Sequence, residues 1–395
     1  MAGNLTMVKE GSYRLRYKDY SRNVIAKSDR IAEKLLAKFI TEVEAGNFAT
    51  PSKVSFGEFV KKWLENYAEV ELAPKTLHRY KGMLDTRILP FFGTKNMEKI
   101  KPLELLEFYN VIKGKHEFMK VAKNEGSPRI KGISSGLSDQ TVKHHHRLIS
   151  AIFEKAIKWN VYQGKNPANF VDAPKVERKK AKFYDLNQIA AMFQALEKED
   201  LHHKAVVMIA LTTGARLGEV MGLEWQDVDN EGKTIEIRQS SQYIPRIGTF
   251  TKNPKNESSK RRISVNDALL IVLKAYKEDQ QSRGFLCGDK NRLFINWKGE
   301  AMNPSTLAVW FPKFLTKNEL PRITFHSLRH TSATFLIGQG MDIETIAGRL
   351  GHTTSVTTQT IYSHFLKAKD REAADMMEES FSLGKKIHNK NTKKA

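Results

Sequence analysis

Several side chains in the C-terminal half are of types that can act on a phosphodiester, and their spacing allows them to meet. In ALTTGARLGEVMGLEW, Arg216 follows a glycine-containing break between two apolar helical stretches and stands at the start of the second. A guanidinium is a fixed fork of donors that matches two phosphate oxygens, and a helix start adds a positive dipole. Glu219, one turn on, can hold that fork in place. A surface arginine merely paired with Glu219 is the plain alternative. In ITFHSLRHTSATFLIGQG, His326 and Arg329 share one helix face and can converge on one phosphate. His330 is one turn from His326, a spacing that also suits zinc, but the intervening glutamate of the metalloprotease motif is missing and no further thiolate or carboxylate cluster is near. In DIETIAGRLGHTTSVTTQTIYSHF a helix carrying Ile343, Ile346, Ala347 and Leu350 stops at Gly351. His352 follows at once, and Tyr362 comes ten residues later with Ile361 and Phe365 to anchor it. The same segment fits a helix-turn-helix entering a major groove, with Tyr362 as a half-buried aromatic.

The chain of 395 residues, 40% hydrophobic, is long enough for two or three packed domains. Lys and Arg number 65 against 44 Asp and Glu, a net charge of +21 that points to a polyanionic partner, nucleic acid first. The single cysteine, Cys287, excludes an intrachain disulfide framework and a four-thiolate zinc site, and it fits a reducing cytoplasm. No apolar run approaches the ~20 residues that span a bilayer, and the N-terminus lacks the apolar core of a signal peptide, so no membrane partner is expected.

Residues 1–50 open with an alternating stretch, Tyr13, Leu15 and Tyr17 on one face and Arg14, Arg16 and Lys18 on the other, which predicts a strand. A helix follows, with Ile31, Leu35, Leu36, Phe39 and Ile40 at helical spacing until Gly46. Residues 54–174 read as helical, beginning with the amphipathic run Phe56, Phe59, Val60, Trp63, Leu64 and Tyr67. From Pro74, Leu77, Tyr80, Leu84 and Ile88 line one face while Lys75, His78 and Arg79 lie on or beside the other, where they can touch phosphates. The Gly-, Ser- and Lys-rich stretch GKHEFMKVAKNEGSPRIKGISSG predicts a loop, and a helix resumes at Ser138 or Asp139, carrying Lys143. Residues 175–181, with Arg178, Lys179 and Lys180, form a linker that could lie against DNA. Residues 182–384 are helical around a small β region, where Ile235 and Ile237 alternate in one strand and Ile263 and Val265 in another. Residues 385–395 form a basic tail.

Taken in order, TTGARLGEVMGLEW, HSLRHTSATFLIGQG and LGHTTSVTTQTIYSH resemble the arginine, H-x-x-R, L-G-H and tyrosine boxes of tyrosine recombinases of the phage integrase family. PKNESSKRRISV is similar to the family's P-K-T-x-S-S-x-R-x-I-x-L pattern. The resemblance implies Lys255 as the catalytic lysine, with Lys252 as the fallback. It also implies a mainly α fold: an N-terminal strand-plus-helix arm-type DNA-binding module at 1–50, a helical core-binding domain at 54–174, and a mixed α/β catalytic domain at 182–384 with a small β-sheet or hairpin.

The chemistry implied is site-specific recombination, integrating or excising a phage or mobile element through a 3′-phosphotyrosine on Tyr362. Arg216 and Arg329 would bind the nonbridging oxygens, His326 and His352 complete the cage, and Lys255 would protonate the leaving 5′ oxygen. No metal, ATP or other cofactor is expected. The implied partners are double-stranded attachment-site DNA and a homotetramer assembled on it, with a host DNA-bending protein or an excisionase as further partners, in a bacterial cytoplasm at the nucleoid. A non-catalytic helix-turn-helix regulator is the rival from another class, and a type IB topoisomerase shares the chemistry without exchanging strands.

Overall fold

The computed structural model describes residues 3–18, 20–44, 54–114, 136–177, 182–252 and 260–352, with 354–356, 358–359 and 374–378. The chain divides into two units, Met1–Arg178 and Lys179–Ala395.

The first unit opens with an antiparallel sheet of three strands, β1 (Asn4–Lys9), β2 (Ser12–Tyr17) and β3 (Tyr20–Ile25), in the order β1-β2-β3, followed by α1 (Asp29–Glu44). Tyr13, Leu15 and Tyr17 of the central strand are buried, and Leu15 and Tyr17 cluster with Phe39 and Val43 of α1. The sequence predicts one strand here, and the structure has three. The two edge strands are mostly exposed, so they are held by main-chain pairing to β2 and carry little of the alternation that betrays a buried face.

Helices follow: α2 (Phe56–Trp63), α3 (Pro74–Met83), α4 (Pro102–Ile112) and α5 (Asp139–Lys158). Ser55 starts α2 through a capping box with Glu58, and Ser138 caps α5. Single π-turns, Leu64–Ala68 and Leu84–Ile88, continue α2 and α3. Phe56, Phe59, Trp63, Phe92, Phe108 and Phe153 form the centre of this core.

The second unit contains α6 (Leu186–Leu196), α7 (Leu201–Thr213), the short α8 (Leu217–Val220), α9 (Asp267–Ser282), α10 (Pro304–Lys317), α11 (Phe325–Gly338) and α12 (Ile343–Leu350). Its strands are β4 (Val228–Asp229), β5 (Thr234–Ile237), β6 (Ser240–Ile244), β7 (Gly248–Lys252) and β8 (Arg261–Ser264). Strand β5 pairs antiparallel with β8, setting Ile235 opposite Ile263, and β4 joins as an edge. A separate hairpin, β6-β7, lies between β5 and β8 in the chain, beyond the two strands that the sequence predicts. SSQYI and GTFTK are half-buried on both faces, so they lack a clean period of two.

Two left-handed glycines shape this unit. Gly214 (φ 64°) ends α7 and Gly351 (φ 69°) ends α12. A Cβ on Gly214 would also sit 2.5 Å from a methyl of Leu350. Gly214→Ala is therefore expected to destabilise this unit by about 1–3 kcal/mol, from left-handed strain of about 1–2 kcal/mol plus the clash. Denaturant unfolding measures it, and an unchanged midpoint would refute the account.

Candidate active site

The break after α7 aims the first functional side chain. Thr213 Oγ1 donates to the Ile209 carbonyl at 2.6 Å and accepts from the Ala215 N–H at 3.1 Å, and Gly214 then reverses the chain. Arg216 falls at the N-cap of α8, with its side chain 44% exposed. Glu219, nearly buried, accepts from the Arg216 main-chain N–H at 3.0 Å, from Arg216 Nη1 at 2.8 Å and from Arg261 Nη2 at 2.7 Å. Burial alone would raise the Glu219 carboxyl, and the Arg261 and Arg216 guanidiniums more than reverse it, so the group stays ionised.

Helix α11 starts with a capping box between Thr324 and Ser327. His326 lies in its first turn and is exposed, whereas Arg329 is buried. Arg329 Nη1 donates to the carbonyls of Gly214 at 2.9 Å and Leu350 at 2.7 Å, and Nη2 meets His352 Nε2 at 2.6 Å. One guanidinium thus ties the break before Arg216 to the end of α12. Gly351 lets the chain turn there, and His352 closes the turn by donating its N–H to the Ala347 carbonyl at 3.0 Å.

The His352 tautomer follows from its partners. A guanidinium can only donate, so Nε2 accepts from Arg329 and Nδ1 carries the proton, 2.8 Å from Oγ1 of the buried Thr358. Burial, then the charges of Arg329, Arg216 and Arg261, push His352 down to about 4. Desolvation of its inner edge, then His330, Arg329 and Arg216, does the same to His326, also to about 4, although part of His326 still faces solvent. The rings of His326 and His330 meet edge to face with centroids 5.0 Å apart. No third ligand group joins them among the described residues. The one metal-type grouping found there is Asp200, His202 and His203, at the opposite end of α7 from Gly214.

The structure therefore gathers Arg216, Glu219, His326, Arg329 and His352. Lys252, half-buried, ends β7 opposite Ser240, and a Cβ on Gly218 of α8 would lie 2.6 Å from Ser240 Oγ, so the hairpin rests close on that helix. Lys255, Tyr362, Arg178, Lys179 and Lys180 lie outside the described residues. Lys75, His78 and Arg79 are exposed on α3 and Lys143 is half-buried on α5. Burial, then Arg79 and Arg147, lowers His144, so α3 and α5 share one basic neighbourhood. Sequence reasoning passed over Arg147, Arg261, Arg349 and Thr358. The Arg of the SSKRRI stretch and the Arg just before L-G-H were signals for two of them.

Residues 182–369 match the phage integrase family, and residues 55–112 match the N-terminal SAM-like domain of phage integrases. The chain belongs to the phage integrase family. It is a tyrosine site-specific recombinase of the integrase kind, and the regulator alternative falls away. Among relatives, the ICEBs1 integrase of Bacillus subtilis (strain 168) is 26% identical over 359 residues, covering 90% of this chain and 91% of that one. A structure of the Tn1549 transposon integrase with a circular intermediate DNA superposes with a TM-score of 0.66 at 21% identity, covering 82% of this chain and 99% of that one. The lambda integrase tetramer bound to a Holliday junction gives 0.54 at 18% identity, covering 90% and 97%. The recombinase shares its fold with both.

The lowered histidines have a consequence for stability. Each titrates near ~6.5 when unfolded and at about 4 when folded, so between those values the unfolded chain binds more protons. Their neutral-state stabilisation is intact above pH 6.5 and fades as pH falls toward 4. Thermal melts of the DNA-free recombinase should lose Tm more steeply over that window than melts of His352→Gln. Parallel slopes would show that His352 does not carry the effect.

Proposed function

We propose that Arg216, Lys255, His326, Arg329, His352 and Tyr362 carry out recombination on double-stranded attachment-site DNA. The observation that supports this most directly is the joining of the Gly214 break to the His352 turn by Arg329, which leaves Arg216, Arg329 and two neutral imidazoles around one space with Glu219 held as an ion pair. Arg216 and Arg329 bind the nonbridging oxygens of the scissile phosphate. The Tyr362 oxygen bonds to phosphorus and passes its proton to His326, which is neutral at pH 7 and so able to accept it. The bond from phosphorus to the 5′ oxygen breaks, and Lys255, or Lys252 in its place, protonates the leaving oxygen. The phosphotyrosine keeps the phosphodiester's bond energy, so a free 5′-hydroxyl from another strand can attack it and release Tyr362 without ATP. Fixed guanidiniums supply the charge that a divalent metal would otherwise bring.

Residues 1–50 serve as the arm module, with Arg14 and Arg16 on the face of β2 opposite Tyr13, Leu15 and Tyr17. Residues 54–174 act as the core-binding domain, touching phosphates through Lys75, His78, Arg79 and Lys143. Residues 175–181, with Arg178, Lys179 and Lys180, link it to the catalytic domain at 182–384, and residues 385–395 form a basic tail. The recombinase works as a tetramer, as the lambda integrase does on a Holliday junction. A host DNA-bending protein or an excisionase is a further partner. No described helix is long and apolar enough to cross a membrane, and the bacterial cytoplasm, at the nucleoid, is the place of action.

A suicide DNA substrate resolved on a denaturing gel tests the chemistry. Wild type should form a covalent band, and Tyr362→Phe should form none while still shifting DNA. A band that survives in Tyr362→Phe refutes the assignment. Cleavage should also persist in EDTA, and a strict need for Mg²⁺ would overturn the metal-free mechanism.

A further inference from the structure

Arg261, the first residue of β8, is a buried guanidinium outside the proposed catalytic set. Its side chain is 7% exposed. Nη2 donates to Glu219 at 2.7 Å and Nε donates to the Arg349 carbonyl at 2.8 Å. The guanidinium also fills the space where any side chain at residue 351 would have to go, since a Cβ on Gly351 would lie 2.7 Å from Nη1 and 3.0 Å from Cζ. Gly351 is thus required twice, once by its left-handed φ and once by Arg261. One side chain touches the carboxylate that orients Arg216, the last turn of α12, and the glycine just before His352.

We propose that Arg261 is a positioning residue of recombination, which holds Glu219 so that Arg216 faces the scissile phosphate and sets the turn that presents His352. This rests on the catalytic reading above. Glu219 divides its oxygens, Oε1 taking Arg216 Nη1 and Oε2 taking Arg261 Nη2 together with the Arg216 N–H. With Arg261 gone, the buried carboxylate keeps Arg216 alone as counter-charge among the described residues and draws that guanidinium back toward itself. Strand β8 leaves the segment that carries Lys255, so Arg261 also ties the exit of that segment to the cradle.

The test uses the full-length recombinase in single-turnover cleavage of a suicide substrate, made with either a normal phosphate or a neutral methylphosphonate at the scissile position. Arg261→Met should bind the site with wild-type affinity yet cleave the phosphate substrate more slowly by ~10²-fold, the low end for losing one aligned donor to a developing charge. Arg261→Lys should recover part of the rate, because a single ammonium cannot hold both Glu219 and the Arg349 carbonyl. On the methylphosphonate, which needs less charge from Arg216, the gap between wild type and variant should shrink at least tenfold. A gap of equal size on both substrates would overturn the proposal and leave Arg261 a structural ion pair. If Arg261→Met does not fold, the same ratio measured on Arg261→Lys decides. The Tyr362→Phe control separates the two readings: a covalent band there sinks the catalytic assignment, whereas its absence beside wild-type cleavage by Arg261→Met sinks this inference alone.

Discussion

Like charges do not gather unaided, and the catalytic unit is organised around that constraint. Two unit charges ~6 Å apart repel by about 3 kcal/mol at an effective dielectric near 20, and here four arginines, Arg216, Arg261, Arg329 and Arg349, converge on two turns. The opposing charge comes mainly from helix ends. Arg329 takes the Gly214 and Leu350 carbonyls, Arg261 that of Arg349, and Arg349 Nη2 that of Thr212 at 2.7 Å and that of Ser264 at 2.9 Å. All but the last belong to the C-terminal ends of α7 and α12, where the helix dipole is negative. Each such bond to a charged donor contributes about 1.5–3 kcal/mol. Among the described residues, Glu219 supplies the full negative charge in the cluster.

This arrangement has a front and a back. The helix C-termini hold the guanidiniums from behind, while the N-terminal turn of α11, carrying His326, adds positive potential in front. The left-handed glycines make it feasible, because both helices must stop abruptly for their last carbonyls to face the arginines. The β6-β7 hairpin is tied in by related means. Arg292 donates to the Gly222 carbonyl and to Thr251, while Arg238 pairs with Asp227 and Glu224. The segment that carries Lys255 is therefore held on entry next to Thr251 and on exit at Arg261.

What could be read from the residues alone follows from what leaves a periodic or local trace. Arg216 after a glycine break, His326 and Arg329 on one helix face, and Gly351 before His352 are local patterns, and the folded chain brings those side chains together. Ile235 and Ile263 announced a sheet because both strands bury one face, and they stand opposite each other. Arg261 and Arg349 stand beside recognisable motifs, in SSKRRI and just before L-G-H, but left no periodic trace of burial. A charged residue on a strand or in a last helical turn reads as solvated surface, and only tertiary structure supplies the carbonyls that let these two enter the interior. The strands β1 and β3 escaped notice for the opposite reason, being paired but scarcely buried. Tyr362 and Lys255 lie outside the described residues, so for them the sequence pattern is the warrant.

The two imidazoles show what this order demands when no DNA is present. Neutral His352 lends its Nε2 lone pair to Arg329, and that bond is available only while the ring is uncharged. In the proposed mechanism a scissile phosphate bound at Arg216 and Arg329 adds negative charge beside both histidines, which moves them up toward their ordinary range. Were His352 protonated at Nε2, it could no longer accept from Arg329 and would have to donate instead. Phosphate charge and the His352–Arg329 bond are in this way linked through the protonation state of one ring. Among the described residues the site sets four guanidiniums against the Glu219 carboxylate, and helix-end carbonyls supply most of the remaining opposing charge before any DNA binds.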